Sequence, residues 1–369
     1  MLLSELDVDM LRISGWCQYA AERDFATLCS ETELQNLLGT GFIKRHRKSG
    51  TIVLTGSGAE FLRDIYSKSI YSTPSSYREG IIQRRVRVAS ILITAYRAGM
   101  DVFAESADEL RGGFAMFLPS VTRGRGQNPW GNARLAALVR LGSLVGAVHY
   151  VEPGIGRLLL DDELAAFRSS VGFMRKPGMC LIFAGSSYGD ILSELEASGG
   201  ESSGRLVSYG EAYRRLNMPV YLIPCETAGA VQLRLLAQPD YRRRLAMAAL
   251  KGRYAPPPED APEWDAMFDG LPFVAAADMD LRRIDAAVSR ALIQGYGMVA
   301  LAALEEQARS VLFARYRDKG LARVFTLTES ALSELGCGST PARLRAERPF
   351  FTSKGDVANA PLIRVHRRA

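Results

Sequence analysis

Over residues 1–66 the apolar side chains first recur three and four residues apart and then crowd into two short runs, a switch that predicts helices followed by a ribbon. Residues 5–20 place Leu6, Met10, Leu11, Ile13 and Trp16 at helical spacing, and a second short helix is expected at 23–29. Ser30-Glu31-Thr32-Glu33 reads as a capping box: the serine accepts from the third amide while Glu33 reaches back. The helix it opens runs to about residue 38 on Leu34, Leu37 and Leu38, and Gly39 and Gly41 close it. "FIKRHR" and "TIVLT" then read as two strands joined by Lys48-Ser49-Gly50, whose glycine tolerates positive φ. Ser57-Gly58 starts another helix, with Ala59, Leu62, Ile65 and Tyr66 inward. Three helices, a two-stranded wing and a helix follow winged-helix order, so residues 1–70 are expected to form such a domain.

Residues 67–76, SKSIYSTPSS, read as a linker. A basic helix follows from Tyr77 to about Ala98, within a linking segment at 71–99. Val86, Ala89, Ile93 and Tyr96 form its core stripe, and Arg84, Arg85 and Arg87 are expected toward solvent. From residue 100 strands alternate with helices, predicting an α/β domain at 100–335, divisible into 100–250 and 270–335. The fold class is therefore α/β, or mixed α+β. "DVFAE" and "FAMFL" read as strands. "VGAVHYV" and "GRLLL" are expected to form a hairpin through Glu152-Pro153-Gly154-Ile155-Gly156. "GMCLIFA" and "MPVYLIP" read as buried strands between helices, and "LPFVAAADMD", "GMVALAAL" and "ARVFTLT" as the strands of a second alternating unit. Residues 336–369 read as a polar tail.

Charge sharpens this picture. The net charge of +6 is modest, but Lys and Arg gather at 44–48, 84–87 and 364–368, and clustered cations suit a polyanionic partner. Lys44, Arg45, His46, Arg47 and Lys48 fall on the first wing strand and its tip, where duplex phosphates pass a docked helix. Counterion release would make such binding salt-sensitive. On the preceding helix Thr32, Gln35 and Asn36 are the candidate readers of base edges. Glu31 and Glu33 are unfavourable beside phosphates and keep a protein-docking role for the module open.

Five cysteines, scattered and never in C-x-x-C spacing, suggest reduced thiols, four of them in apolar surroundings. No basic segment precedes an apolar stretch at the N-terminus, and no apolar run is long enough to span a bilayer, so a soluble cytoplasmic protein is expected.

Candidate chemistry is sparse. The hairpin–helix–strand–helix–strand order at 145–224 is also used by restriction-endonuclease-like nucleases, and a Rossmann-like order is the other candidate. A nuclease needs strand carboxylates and an acid-x-Lys pair to hold Mg²⁺, and these strands are apolar. "IFAGSSYGD" resembles a phosphate-cradling turn but lacks the glycine fingerprint and the Walker lysine. Asp278, Asp280, Glu305 and Glu306 end two neighbouring strands. They are expected as helix caps, with a divalent-ion site at Asp278, Asp280 and Glu305 as the alternative. His46, His149 and His366 are dispersed. No cofactor and no enzymatic activity are assigned.

"LLGTGFIKRHRKSGTIVLTGSGAEFLRD", followed by "YREGIIQRRVRVASILITAYRAG", resembles the replication-relaxation proteins of conjugative plasmids and integrative elements. In that group a winged helix precedes an arginine-rich helix and a nuclease-like α/β domain. Ile52 to Gly58, "IVLTGSG", stands where the wing motif would be, with Ile52 in place of an aromatic. The resemblance covers about 70 residues and implies a double-stranded-DNA-binding accessory or regulatory protein. Its partner would be a relaxase, a replication protein or another element-encoded protein, and it could form a homodimer. It brings no catalytic residues. The competing expectations are a Mg²⁺-dependent nuclease or nucleotide-processing enzyme and a protein scaffold.

Overall fold

The computed structural model describes residues 2–66, 71–74, 78–120, 130, 133–153, 157–172, 174, 178–197, 206–338, 350–352, 354 and 357–358. The chain is mixed α/β and divides into two compact units, Met1–Ile93 with Arg345–Ala369, and Thr94–Leu344. Among the described residues no helix is long and apolar enough to cross a membrane.

The first unit opens with strand β1 (Leu2–Ser4) and helix α1 (Glu5–Cys17). Ser4 and Asp7 form a capping box at the start of α1. Val8, Leu11, Ile13 and Cys17 are fully buried, so α1 is the centre of this core. β1 pairs antiparallel with Phe350–Thr352, which pairs in turn with Val357–Ala358. The segment expected as a polar tail thus includes strands, while the 364–368 cluster lies outside the described residues. After the short α2 (Glu22–Phe25), helix α3 (Glu31–Gly39) begins at the expected box: Ser30 Oγ accepts from the Glu33 amide at 3.3 Å, and Glu33 accepts from the Ser30 amide at 2.9 Å.

Strands β2 (Ile43–Arg45) and β3 (Ile52–Leu54) form the expected antiparallel ribbon, with Arg45 opposite Ile52. Gly50 takes φ +67° at its tip. Ile52 also makes an isolated bridge to Ala20, exchanging two backbone hydrogen bonds, which brings the stretch before α2 beside the ribbon. Helix α4 (Gly56–Tyr66) follows. The Thr55 hydroxyl accepts from the Gly58 amide at 3.2 Å and donates to the Gly41 carbonyl, so "TGSG" serves as a helix cap. A Cβ at Gly58 would lie 2.3 Å from the Phe42 carbonyl oxygen. Gly58→Ala is therefore expected to cost about 1–3 kcal/mol in urea unfolding, as overpacking does where the obstacle is backbone. Helix α5 (Glu79–Arg97) is buried on all sides from Val88 to Tyr96, far more than a single stripe. The boundary between the units falls inside it, after Ile93.

The second unit contains two sheets. The larger has the order β4 (Asp101–Ala104), β5 (Ala115–Phe117), β6 (Ala137–Leu141), β7 (Leu144–Tyr150), β8 (Gly178–Gly185) and β9 (Val220–Pro224). β5, β6 and β7 are antiparallel neighbours, whereas β7, β8 and β9 run parallel. The hairpin partner of "VGAVHYV" is therefore β6, not "GRLLL". Gly142, at φ +59°, makes the two-residue turn between them. Leu158 of "GRLLL" makes only an isolated bridge to Val207, and Leu160 already begins helix α6 (Leu160–Ser170); residues 154–156 of the expected turn lie outside the described residues. In the second sheet an unexpected strand, β10 (Ala266–Phe268), lies antiparallel to β11 (Leu271–Ala275); β11, β12 (Val299–Ala303) and β13 (Ala322–Thr326) fall on the three expected strands and run parallel. Its two-residue alternation sorts the side chains. Val274, Leu301 and Ala303 join one core, and Phe273, Ala275, Ala300 and Ala302 the other.

His149 on β7 is buried against Phe183 and Tyr209, and its Nδ1 has no hydrogen-bond partner among the described residues. Burial pushes its imidazole down to about 4 from the ordinary 6.5. The unfolded chain thus takes up a proton that the folded chain refuses between those values. Stability is full above pH 6.5 and declines as pH falls toward 4. His149 alone is expected to cost about 2 kcal/mol at pH 5 relative to pH 7. Urea unfolding at the two pH values checks this, and His149→Phe should remove that portion of the pH dependence.

Candidate nucleic-acid interface

The candidate surface is built on α3 and the β2–β3 ribbon. Leu34 and Leu37 anchor α3 in the core, which leaves Glu31, Thr32, Gln35 and Asn36 on its exposed side. Thr32 and Asn36 have no partner among the described residues. Gln35 is different: its amide donates to the Glu31 carboxylate at 2.5 Å, which ties it to its own helix.

On the ribbon Ile43 points into the core, while Lys44, Arg45, Arg47 and Lys48 are exposed. These five neighbours do not act alike. Lys44, Arg47 and Lys48 form no ion pair with any described residue. Arg45 holds Glu22 through two contacts, Nε to Oε2 at 2.8 Å and Nη2 to Oε1 at 2.5 Å. Hydrogen bonding to this guanidinium holds the Glu22 carboxyl below the usual range. The pair is substantially exposed, so it contributes little stability, but it offsets one of the ribbon's positive charges. His46 is committed to the turn: its Nδ1 lies 2.7 Å from Ser49 Oγ, and its ring meets Tyr19 edge-on. It shapes the tip and presents little to a partner.

Of the arginines on α5 only Arg84 is exposed; Arg85 and Arg87 are half-buried. Successive helical residues are about 100° apart, so residues 87, 84 and 85 span an arc of about 160°, and the one at its middle, Arg84, is exposed while those flanking it are half-buried. Arg85 lies close enough to Cys17 to act on its thiol, although burial dominates and pushes that thiol up to about 12. All five cysteines are free; Cys17, Cys180 and Cys337 are buried and Cys29 and Cys225 half-buried, so three, not four, lie in the core.

The acids at the strand ends are spoken for. Asp278 is fully buried and accepts from Tyr241 Oη at 2.6 Å, Arg242 Nη2 at 3.1 Å and Arg283 Nη2 at 3.1 Å. Burial opposes its ionisation, yet Arg283 and Arg242 outweigh burial and hold its carboxyl below the usual value. Asp280 caps the helix Leu281–Ile293, accepting from the Arg283 amide. Burial and then Asp278 raise its carboxyl. Glu305 is exposed and pairs with Arg309, and Glu306 accepts from Ser310. Among the described residues no group of three His, Cys, Asp or Glu side chains is placed to hold a metal. At "IFAGSSYGD" Ser187 caps helix α7 (Tyr188–Glu196) and bonds to Asp190, which puts a carboxylate where an anion would sit.

Compared with known proteins, the chain matches no family model, no curated protein and no solved structure. The surface must therefore be judged on its own geometry. The residue that sequence pattern did not reveal is Glu22, 23 positions from Arg45. The Ala20–Ile52 bridge and the Tyr19–His46 ring contact bring that stretch of chain to the ribbon.

Proposed function

We propose that the N-terminal unit is a winged helix that binds double-stranded DNA, with α3 toward the groove and the β2–β3 ribbon along the backbone. The observation that carries this is the state of Lys44, Arg47 and Lys48: three exposed cations, unpaired among the described residues, on a ribbon directly after a short polar helix. Cations so placed have no stabilising partner among the described residues, whereas phosphates would pair with them. The bridge from Ala20 to Ile52 and the helix order around the ribbon also support the winged-helix assignment. Thr32 and Asn36 are the residues available for base edges, Arg84 adds a phosphate contact, and Arg45 contributes once it exchanges Glu22 for phosphate.

The second unit is proposed as a non-catalytic module for self-association or partner binding. An antiparallel β5-β6-β7 meander followed through α6 by parallel β8 is consistent with a nuclease-like layout. β6 (ALVRL) and β7 (LVGAVHY) carry no carboxylate, and Asp278 is occupied by arginines. Together with the resemblance to replication-relaxation proteins, this points to an accessory or regulatory protein of a mobile genetic element, active in replication, mobilisation or transcriptional control. A relaxase or replication protein would be its partner. Fluorescence anisotropy with a labelled duplex at several salt concentrations tests the central claim. Binding should weaken steeply as salt rises; no binding at low salt, or binding indifferent to salt, refutes it.

A further inference from the structure

A cavity of about 210 Å³ opens on the second sheet at the carboxyl end of β12 and β13. The β11–β12–β13 strands are parallel, and the ends of parallel strands are where α/β folds collect ligands. Ala302 points to the same face as Phe273, and a larger side chain there would fill the space. Phe268 and Phe325, edge to face at 5.6 Å, supply aromatic wall.

The polar lining is unevenly satisfied. Arg253 lies over the Phe268 ring at 4.7 Å and pairs with Asp269 at 3.2 Å. Lys251 has no partner among the described residues and takes φ +50°, a conformation that costs a non-glycine residue energy. The hydroxyls of Thr326 and Ser330 also lack partners among the described residues, whereas Thr328 caps the helix Glu329–Glu334. Arg253 is offset by Asp269, so Lys251 is the lining cation without a partner among the described residues, beside one lining carboxylate, Glu334.

We propose that this cavity binds a small aromatic anion, its ring against Phe268 and Phe325 and its carboxylate or phosphate toward Lys251. The aromatic wall supplies contact area, and a few convergent polar groups fix orientation, as in other small-molecule sites. The free cation sets the preferred charge. This claim stands apart from DNA binding, because it concerns only the second sheet.

The test uses the full chain with para-fluorobenzoate, followed by fluorine NMR, beside para-fluorobenzyl alcohol and para-fluorobenzylamine. Saturable binding of the benzoate is expected, about tenfold tighter than that of the alcohol, since a charge-assisted hydrogen bond separates them. Lys251→Ala should erase that preference while leaving the alcohol unaffected. Thr326→Trp, at an exposed rim position, should abolish binding of both, with an unchanged thermal melt showing the fold intact. No saturable binding to the native chain overturns the proposal, as does binding indifferent to Thr326→Trp. Tighter binding of the amine overturns the assignment of charge.

Discussion

Asp278→Ala is expected to destabilise the second unit by about 3–5 kcal/mol, the cost of removing one partner from a buried ion pair. Asp278 is fully buried and accepts from one tyrosine and two arginines. Deleting it does not delete their need for a partner. Arg283 has a side chain only 10% exposed and keeps Asp265 at 2.9 Å, but it loses one of its two carboxylates. Arg242 is 31% exposed and can turn to water, so Arg283 dominates the loss. Arg242→Ala should accordingly cost clearly less than Asp278→Ala. Urea unfolding at pH 7 measures both, and a loss below about 1 kcal/mol for Asp278→Ala would mean the network contributes specificity but little stability. The pH dependence separates this network from His149. Because the Asp278 carboxyl is held below its ordinary value, its contribution is present above that value and lost as pH falls through the depressed one. The His149 contribution is lost earlier, between pH 6.5 and about 4. A stability curve measured downward from pH 7 should therefore fall in two stages, and His149→Phe should remove only the first.

What could be read in the sequence was what neighbouring residues decide among themselves. The Ser30–Glu33 box and the ribbon turn at Gly50 are local devices, and each lies where the pattern placed it. So is the alternation that aligns β11, β12 and β13, because parallel strands joined by helices repeat a recognisable unit. The hairpin of β7 went to the wrong partner for an instructive reason. "ALVRL" and "GRLLL" are equally apolar, so hydrophobicity does not choose between them. The two-residue Gly142-Ser143 loop was the better signal, and the longer, more conspicuous Pro/Gly turn masked it. The strands at 350–358 were missed because a short strand paired with the N-terminus leaves no local periodicity. Long-range pairs were out of reach altogether. Tyr241 and Arg242 lie 37 and 36 residues from Asp278, so the acid read as a helix cap, with a metal ligand as the alternative, and its role as an ion-pair centre was not legible. The cationic cluster was legible as charge, yet setting Arg45 apart from three cations unpaired among the described residues depends on Glu22, which tertiary pairing delivers.

That division gives the DNA-binding proposal its sharpest consequence. Combined Lys44→Ala, Arg47→Ala and Lys48→Ala should lower duplex affinity at low salt for every sequence tested, because phosphate contacts position a protein without reading bases. Each lost phosphate contact should reduce the slope of log K against log salt by about 0.9, so the triple variant should lose about 2.7 if all three engage. The ribbon should keep its fold, since none of the three has a partner among the described residues. Arg45→Ala should weaken binding less than a free cation would, because its charge is already offset by Glu22 at 2.5 Å. Glu22→Gln then has the opposite sign. It removes a carboxylate beside the backbone path and releases Arg45, so affinity should rise and the salt slope should steepen by roughly one contact. A generic positive surface predicts only losses on removing cations and does not single out Glu22. Anisotropy titrations of the three variants against native protein decide the matter: an unchanged slope in the triple variant moves the DNA surface off the ribbon. A Glu22→Gln variant that binds more weakly makes the Arg45–Glu22 pair a brace the complex needs, holding the stretch at Ala20 against the ribbon while the free cations meet phosphate.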